Sequence, residues 1–492
     1  MTSQSVHRAM GWRRWPAVAT LAALLAWPAP FAAQQAESSE ELARRWLDSG
    51  LRFMRDGRPG EALKDLQRVA DVYPTSTVAD DALLAIGEYQ LTGAGDPAAA
   101  RSVVETLIAK YPAADTAPMA YVLAGRVGLA ESESIEGIDQ ALANFERVRT
   151  LFPRAPAVAA ALTYAGDAHR LARRAGDAVR AYRQAAAEYP RSPWTAPALL
   201  GLAAAHVAEG EPVKALAALS QLQASFPGTP AAATARDRAT ILYRLHLRAP
   251  AAPAFSPSER TIAGVGGRLD NVDGVAGAPD GAFVGRPRAG ASRFEPEGTL
   301  RDGVRAVDAR ALALAPDGQI VVGTRAGLQP AGGSFLPLTA TRPLGELRAV
   351  AVSRTGQYLV ADGDLRAIVR FSADGKHAGA FASVDAVRLA VNDVGTVAAL
   401  DRTGRSVAVF DPSGKPLGRV GSGGGVALQQ AVDVAWDALG YLYVLDREAG
   451  AVAVFNPALQ LVVTYSVNPR LPGAFRRATS FAVDAAGRLF IF

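Results

Sequence analysis

An aromatic residue followed by proline recurs five times in the first half of the chain: Tyr73-Pro74, Tyr111-Pro112, Phe152-Pro153, Tyr189-Pro190 and Phe226-Pro227. Successive prolines stand 38, 41, 37 and 37 residues apart, a period that marks a stack of supersecondary units. Twelve residues before each proline is an alanine: Ala62, Ala100, Ala141, Ala178 and Ala215. Eight residues before each is a larger apolar residue: Leu66, Val104, Phe145, Tyr182 and Leu219. About one helical turn separates the two positions, so each helix carries a small residue beside a large one on a single face. Small residues let helix axes approach. Proline turns the preceding residue away from helical dihedrals and so ends each second helix. The pattern predicts helical hairpins over 37–248, closed by a helix over Ala231–Arg248 that covers the last unit's apolar face.

A second period follows. Ala249-Pro-Ala-Ala-Pro-Ala-Phe-Ser-Pro257 reads as a short stiff linker, after which the helical pattern stops. Short β-rich runs then alternate with Asp-Gly, Ser-Gly and Asn-Pro turns. Glycines that split an inner strand pair stand at Gly281, Gly318, Gly356, Gly395, Gly440 and Gly487. The clearest unit runs Val432-Asp-Val-Ala-Trp-Asp-Ala-Leu-Gly-Tyr-Leu-Tyr-Val-Leu-Asp446 and continues as Ala451-Val-Ala-Val-Phe-Asn456. Four short strands in about 40 residues is propeller spacing. The last unit stops at Phe492, so Arg260-Thr-Ile-Ala-Gly-Val265 is expected to complete it and remove an exposed edge.

Both periods resemble known repeats. In the helical half, Gly166, Ala178, Tyr182, Ala185 and Pro190 resemble the tetratricopeptide repeat, as do Trp46, Gly50 and Phe53 in the first unit. The junctions Tyr73-Pro-Thr-Ser and Tyr189-Pro-Arg-Ser are similar to the bacterial envelope subtype, found in outer-membrane assembly lipoproteins and the periplasmic cell-division coordinator. In the second half, the phrase ending in Asp446, with Val407-Ala-Val-Phe-Asp-Pro-Ser-Gly414 beside it, resembles the NHL repeat of six-bladed β-propellers. Asp362, Asp401 and Asp446 fall at that repeat's end-of-strand acid, and the expected role is to accept hydrogen bonds from turn amides. The expected fold class is therefore multidomain α + β: an all-α tetratricopeptide solenoid, then an all-β propeller with six blades. The expected domains are a signal peptide at 1–36, the solenoid of five repeats plus a capping helix at 37–248, the linker at 249–257 and the propeller at 258–492.

Arg13 and Arg14 precede an apolar run from Trp15 to Trp27, with small residues near Ala33 and Ala36. A charged start, a short apolar stretch and small residues make a secretory signal, too short to span a bilayer. The expected location is periplasmic or secreted, with no integral membrane segment after cleavage. The formal charge of +5 loses its meaning here. Arg8, Arg13 and Arg14 leave with the signal, and neither remaining half is a polycation, so nucleic acid is not an expected partner. The chain has no cysteine, which removes disulfides, thiolate metal sites, cysteine nucleophiles and a lipid anchor on an N-terminal cysteine.

Chemical constellations are sparse. His169 and His206 lie one repeat apart and are expected as packed core residues rather than a metal pair. Gly421-Ser-Gly-Gly-Gly425 and Gly264-Val-Gly-Gly267 lack the following helix and Lys-Ser/Thr that cradle phosphate. Leu269-Asp-Asn-Val-Asp-Gly274 puts leucine where a calcium loop needs its first carboxylate. The second half holds a single histidine, His377, beside an outer hairpin, too few for a histidine-ligated channel metal or serine-histidine catalysis. No catalytic, cofactor or metal residue is assigned, no cofactor is expected, and the chain is not expected to be an enzyme. The resemblances imply a scaffold whose helical groove holds a segment of an envelope protein and whose propeller offers a second face. Two alternatives stand beside it. One is a propeller that binds peptidoglycan or another glycan, although Trp436 is its only tryptophan. The other is a metal-dependent propeller lyase or lactonase.

Overall fold

The computed structural model describes residues 30–248 and 274–491, except 279–280, 287–289, 295–299, 307, 316–317, 340–343, 422–425 and 467–477. The linker at 249–257, the expected closing strand at 260–265, the loops at 264–267 and 269–273, most of 421–425 and the first 29 residues lie outside the described residues.

Among the described residues, eleven helices come first: α1 (Pro30–Arg55), α2 (Pro59–Val72), α3 (Ala79–Thr92), α4 (Pro97–Lys110), α5 (Ala117–Glu131), α6 (Ile135–Leu151), α7 (Ala157–Leu171), α8 (Ala175–Glu188), α9 (Thr195–Ala208), α10 (Pro212–Ser225) and α11 (Pro230–Leu242). A π-turn, Tyr243–Leu247, extends α11. Their ends follow from local chemistry. Proline opens α2, α4, α10 and α11, where its missing N–H costs nothing. Asp96 caps α4 and Thr229 caps α11 by accepting the amides of Ala99 and Ala232. Tyr73, Tyr111, Tyr189 and Phe226, each before its proline, are the C-caps of second helices. The alanine ladder is at most 1 % exposed and its large partners at most 2 %, so the sequence stripe is the packed interior. Tyr182 shows how tight that interior is: Gly166 and Gly201 face its ring, and a Cβ at either would overlap it.

Among the described residues, five four-stranded antiparallel sheets and a two-stranded one follow. The first sheet holds β1 (Gly274–Ala278), β2 (Gly281–Arg286), β3 (Gly290–Phe294) and β4 (Leu300–Arg305). The second holds β5 (Ala309–Leu314), β6 (Ile320–Thr324), β7 (Gly327–Pro330) and β8 (Leu336–Pro337). The third holds β9 (Leu347–Val352), β10 (Tyr358–Asp362), β11 (Ala367–Phe371) and β12 (His377–Ala382). The fourth holds β13 (Ala386–Val391), β14 (Val397–Asp401), β15 (Val407–Phe410) and β16 (Pro416–Val420). The fifth holds β17 (Ala431–Trp436), β18 (Leu442–Asp446), β19 (Ala451–Phe455) and β20 (Leu461–Ser466). The sixth holds β21 (Phe481–Val483) and β22 (Leu489–Ile491).

Each sheet is a meander whose first strand touches the first strand of the next, and β21 touches β1. The sheets therefore stand in a ring, face to face. Burial on both faces explains why β6, β10 and β18 are buried along their whole length. Apolar clusters fill the spaces between neighbours, such as Ala398, Leu400 and Val409 against Val434, Leu442 and Val444.

By packing, the described chain divides into two compact units. One ends at Val127 and adds Thr150–Ala157; the other comprises Gly128–Arg149 and Val158–Phe492. The division falls inside the helical array, and the later helices belong with the sheets to the second unit.

Candidate functional site

Between the first and second strands of a sheet, the chain reverses through a turn closed by a glycine with positive φ: Gly318, Gly356, Gly395, Gly440 and Gly487. Each of these glycines donates its N–H to the carbonyl three residues earlier. A polar side chain at that earlier position finishes most of the turns. Asn392 accepts the amides of Val394 and Thr396, Asp437 those of Leu439 and Tyr441, and Asp484 those of Ala486 and Arg488. These are rigid, self-satisfied knuckles, presented side by side by adjacent sheets.

Helix ends of the second unit rest on successive knuckles. In the third sheet, Arg354 donates to the carbonyls of Leu129 and Ser132, and the Thr355 amide donates to Glu133 Oε1 over 3.3 Å. In the fourth, Asp393 pairs with Arg170, and Thr396 Oγ1 accepts from Arg173 Nη1 over 3.1 Å. In the fifth, the Tyr441 hydroxyl bonds His246 Nε2 at 2.7 Å. In the sixth, Ile241 sits over Gly487 and leaves no space for a side chain there. Two repeats of similar period thus meet in sequence: the turn after α5 takes the third sheet, the end of α7 the fourth, and α11 with its π-turn the fifth and sixth. The expectation that the terminal helix covers the last repeat is met by contacts of α11 with α9 and α10, but its π-turn also reaches the sheets.

The electrostatics fit a dry contact. Burial lowers the affinity of Arg173 and Arg354 for their proton, and it pulls the pKa of His246 down. Burial acts the same way on Arg170, but Asp393, Tyr182 and Asp167 around it outweigh the effect and raise its pKa. Asp167 is pushed up by burial, against the pull of Arg170. It accepts the hydroxyl proton of Tyr182, so the helical core and the seam share one polar chain.

At the other end of the first strands, arginines and carboxylates bridge neighbouring sheets. Arg348 pairs with Asp385 and Glu346, and Arg388 Nε lies 3.7 Å from Asp433 Oδ1. Asp433 also accepts the Phe481 amide at 3.0 Å. Asp362 accepts amides of Gly345, Asp364 and Leu365; Asp446 accepts those of Gln429, Gln430 and Ala449. Asp401 takes the Arg405 amide and the hydroxyls of Thr403 and Ser406. All three acids thus hold turns, as their place in the repeat suggests. Trp436 Nε1 donates to Ala390 O over 3.2 Å, a packed role, and His377 is exposed on β12.

The two spaced histidines part company. His169 is half-buried in the wall of a groove of about 490 Å³ beside Leu142, Phe145, Leu162 and Asp177, and its buried Nδ1 makes no hydrogen bond. His206 is 4 % exposed, with Nδ1 3.1 Å from Glu211 Oε2 and 3.4 Å from Glu209 Oε2. Among the described residues, this is the group of His, Asp and Glu side chains close enough to hold a metal ion. Expecting both histidines as packed core residues left the two acids beside His206 unremarked, although His206-x-x-Glu209-x-Glu211 stands in the sequence as a run.

The tetratricopeptide repeat profile matches residues 197–229, which span most of α9 and all of α10. No curated protein matches the chain. Among solved structures, a gluconolactonase from Xanthomonas campestris is 19 % identical, covering 45 % of this chain and 84 % of that one, with a TM-score of 0.36. Virginiamycin B lyase from Staphylococcus aureus is 9 % identical over 45 % of this chain and 84 % of its own, with a TM-score of 0.34. A tetratricopeptide protein from Thermus thermophilus is 21 % identical over 41 % of this chain and 98 % of its own, with a TM-score of 0.33. Likeness at this level assigns no activity to the chain. Among the described residues, no helix is long and apolar enough to cross a membrane.

Proposed function

We propose that the chain is an exported, non-enzymatic scaffold of the bacterial cell envelope, periplasmic or secreted. Its envelope-type tetratricopeptide groove holds a segment of a partner protein, and its NHL-like, six-bladed ring offers a second binding face. The observation that carries this reading is the seam. Helix ends meet sheet turns through Arg354, Arg170, Arg173 and His246, so the helices hold that end of the ring, and the opposite end is the face assigned to a ligand in this reading. A partner that bridges two fixed surfaces gains effective concentration without any new contact. The tetratricopeptide repeat at 197–229 supports protein as the ligand class.

Purified full-length chain is incubated with envelope extract and, separately, with isolated sacculi. Capture of a partner that protease removes is expected from the extract, with no retention on sacculi. Retention on sacculi that survives protease would overturn the scaffold in favour of glycan binding.

A further inference from the structure

We propose that His206, Glu209 and Glu211 form a binding site for one zinc-class divalent cation. The chain builds it within six residues at a single helix–helix turn. His206 is in the last turn of α9, Glu209 is that helix's C-cap, and Glu211 is the N-cap of α10. Between the two acids, Gly210 adopts φ +77°, a left-handed conformation that folds the chain back and brings both carboxylates to the same imidazole nitrogen. The ligand atoms of the three side chains lie within 4.8 Å of one another.

The geometry points to a metal more than to an ordinary hydrogen bond. A neutral imidazole has at most one proton on Nδ1, yet two carboxylate oxygens approach that atom, at 3.1 and 3.4 Å. One proton serves one of them. Two ligands each about 2.1 Å from a tetrahedral zinc ion are roughly 3.4 Å apart, close to both spacings. Lys214 holds Glu211 through Oε1 at 2.6 Å and leaves Oε2 facing the histidine. One neutral nitrogen and two carboxylates balance a double positive charge, and a mixed nitrogen–oxygen set favours zinc over magnesium or calcium.

The preceding repeat is an internal control. One period earlier, the corresponding residues are His169, Ala172 and Arg174. The histidine is kept, one acid is gone, the other has become a cation, and the Nδ1 of His169 has no partner. The repeat therefore explains a histidine at this position but not the acids beside His206.

The test uses full-length chain loaded with zinc chloride, dialysed against metal-free buffer and assayed for retained zinc. Cobalt loading adds a visible absorption readout of ligand geometry. One zinc per chain is expected. E209Q/E211Q, at sites that face solvent, should lower apparent affinity by about tenfold or more with an unchanged circular dichroism spectrum. H169N should bind as the parent chain does. Absence of retained zinc, or equal retention by E209Q/E211Q, would overturn the site.

Discussion

At the scale of single residues, buried acids separate structure from chemistry. Asp81, on α3, is pushed up to about 7 by burial, with the charges of Asp80 and Asp115 adding to the effect. Its unperturbed value is 3.8, so the folded state holds the proton more tightly than the unfolded one. Stability from this group is whole below about 4 and is lost as pH rises to about 7. Replacing Asp81 with Asn removes that loss. The melting-temperature gain of D81N over the parent chain is expected to be larger at pH 8 than at pH 5, and thermal scans at the two values check it. Nothing in the sequence marks Asp81, because its shift arises chiefly from burial among packed helices, which the linear order of residues does not display. Asp362, Asp401 and Asp446 were legible from their place at the strand end of each unit, where each accepts amides of its own turn, while the bonds of Asp362 to Gly345 and of Asp446 to Gln429 and Gln430 reach back across the sheet and were not.

At the scale of elements, legibility followed locality. The alanine and large-residue ladder and the aromatic caps of second helices depend on fixed spacings, and both appear where the sequence places them. The strand-splitting glycines follow the same rule, since each closes a turn from its own amide. Gly281 opens β2, and the turn residues before it at 279–280 lie outside the described residues. The polar residue three places before most of the turn glycines was the overlooked companion. Asp437 is the strongest case, since it accepts the Tyr443 hydroxyl at 3.2 Å as well as two backbone amides. D437A would leave those donors unpaired in a buried turn. A loss of about 1–3 kcal/mol is expected in denaturant unfolding. N392A, in a part-buried turn, is expected to lose less.

At the scale of the whole molecule, packing groups the later helices with the sheets in one unit, a partition that neither repeat period announces. That partition was not legible because the joining residues lie far apart: Arg170 and Asp393 are 223 positions distant, and no periodicity connects them. In the sequence they read as two ordinary surface charges. In the fold they belong to a row of contacts repeated from sheet to sheet, and this row makes a groove and a ring into one platform. The absence of cysteine offers a direct check, since two introduced thiols would be unique in the chain. Arg170 and Asp393 are replaced together by cysteine and treated with a short bis-maleimide at low protein concentration. A second variant pairs R170C with D364C, beyond the opposite end of the strands from the knuckles. The account predicts rapid intramolecular cross-linking of the 170–393 pair and little of the 170–364 pair. Equal rates for the two pairs would contradict it.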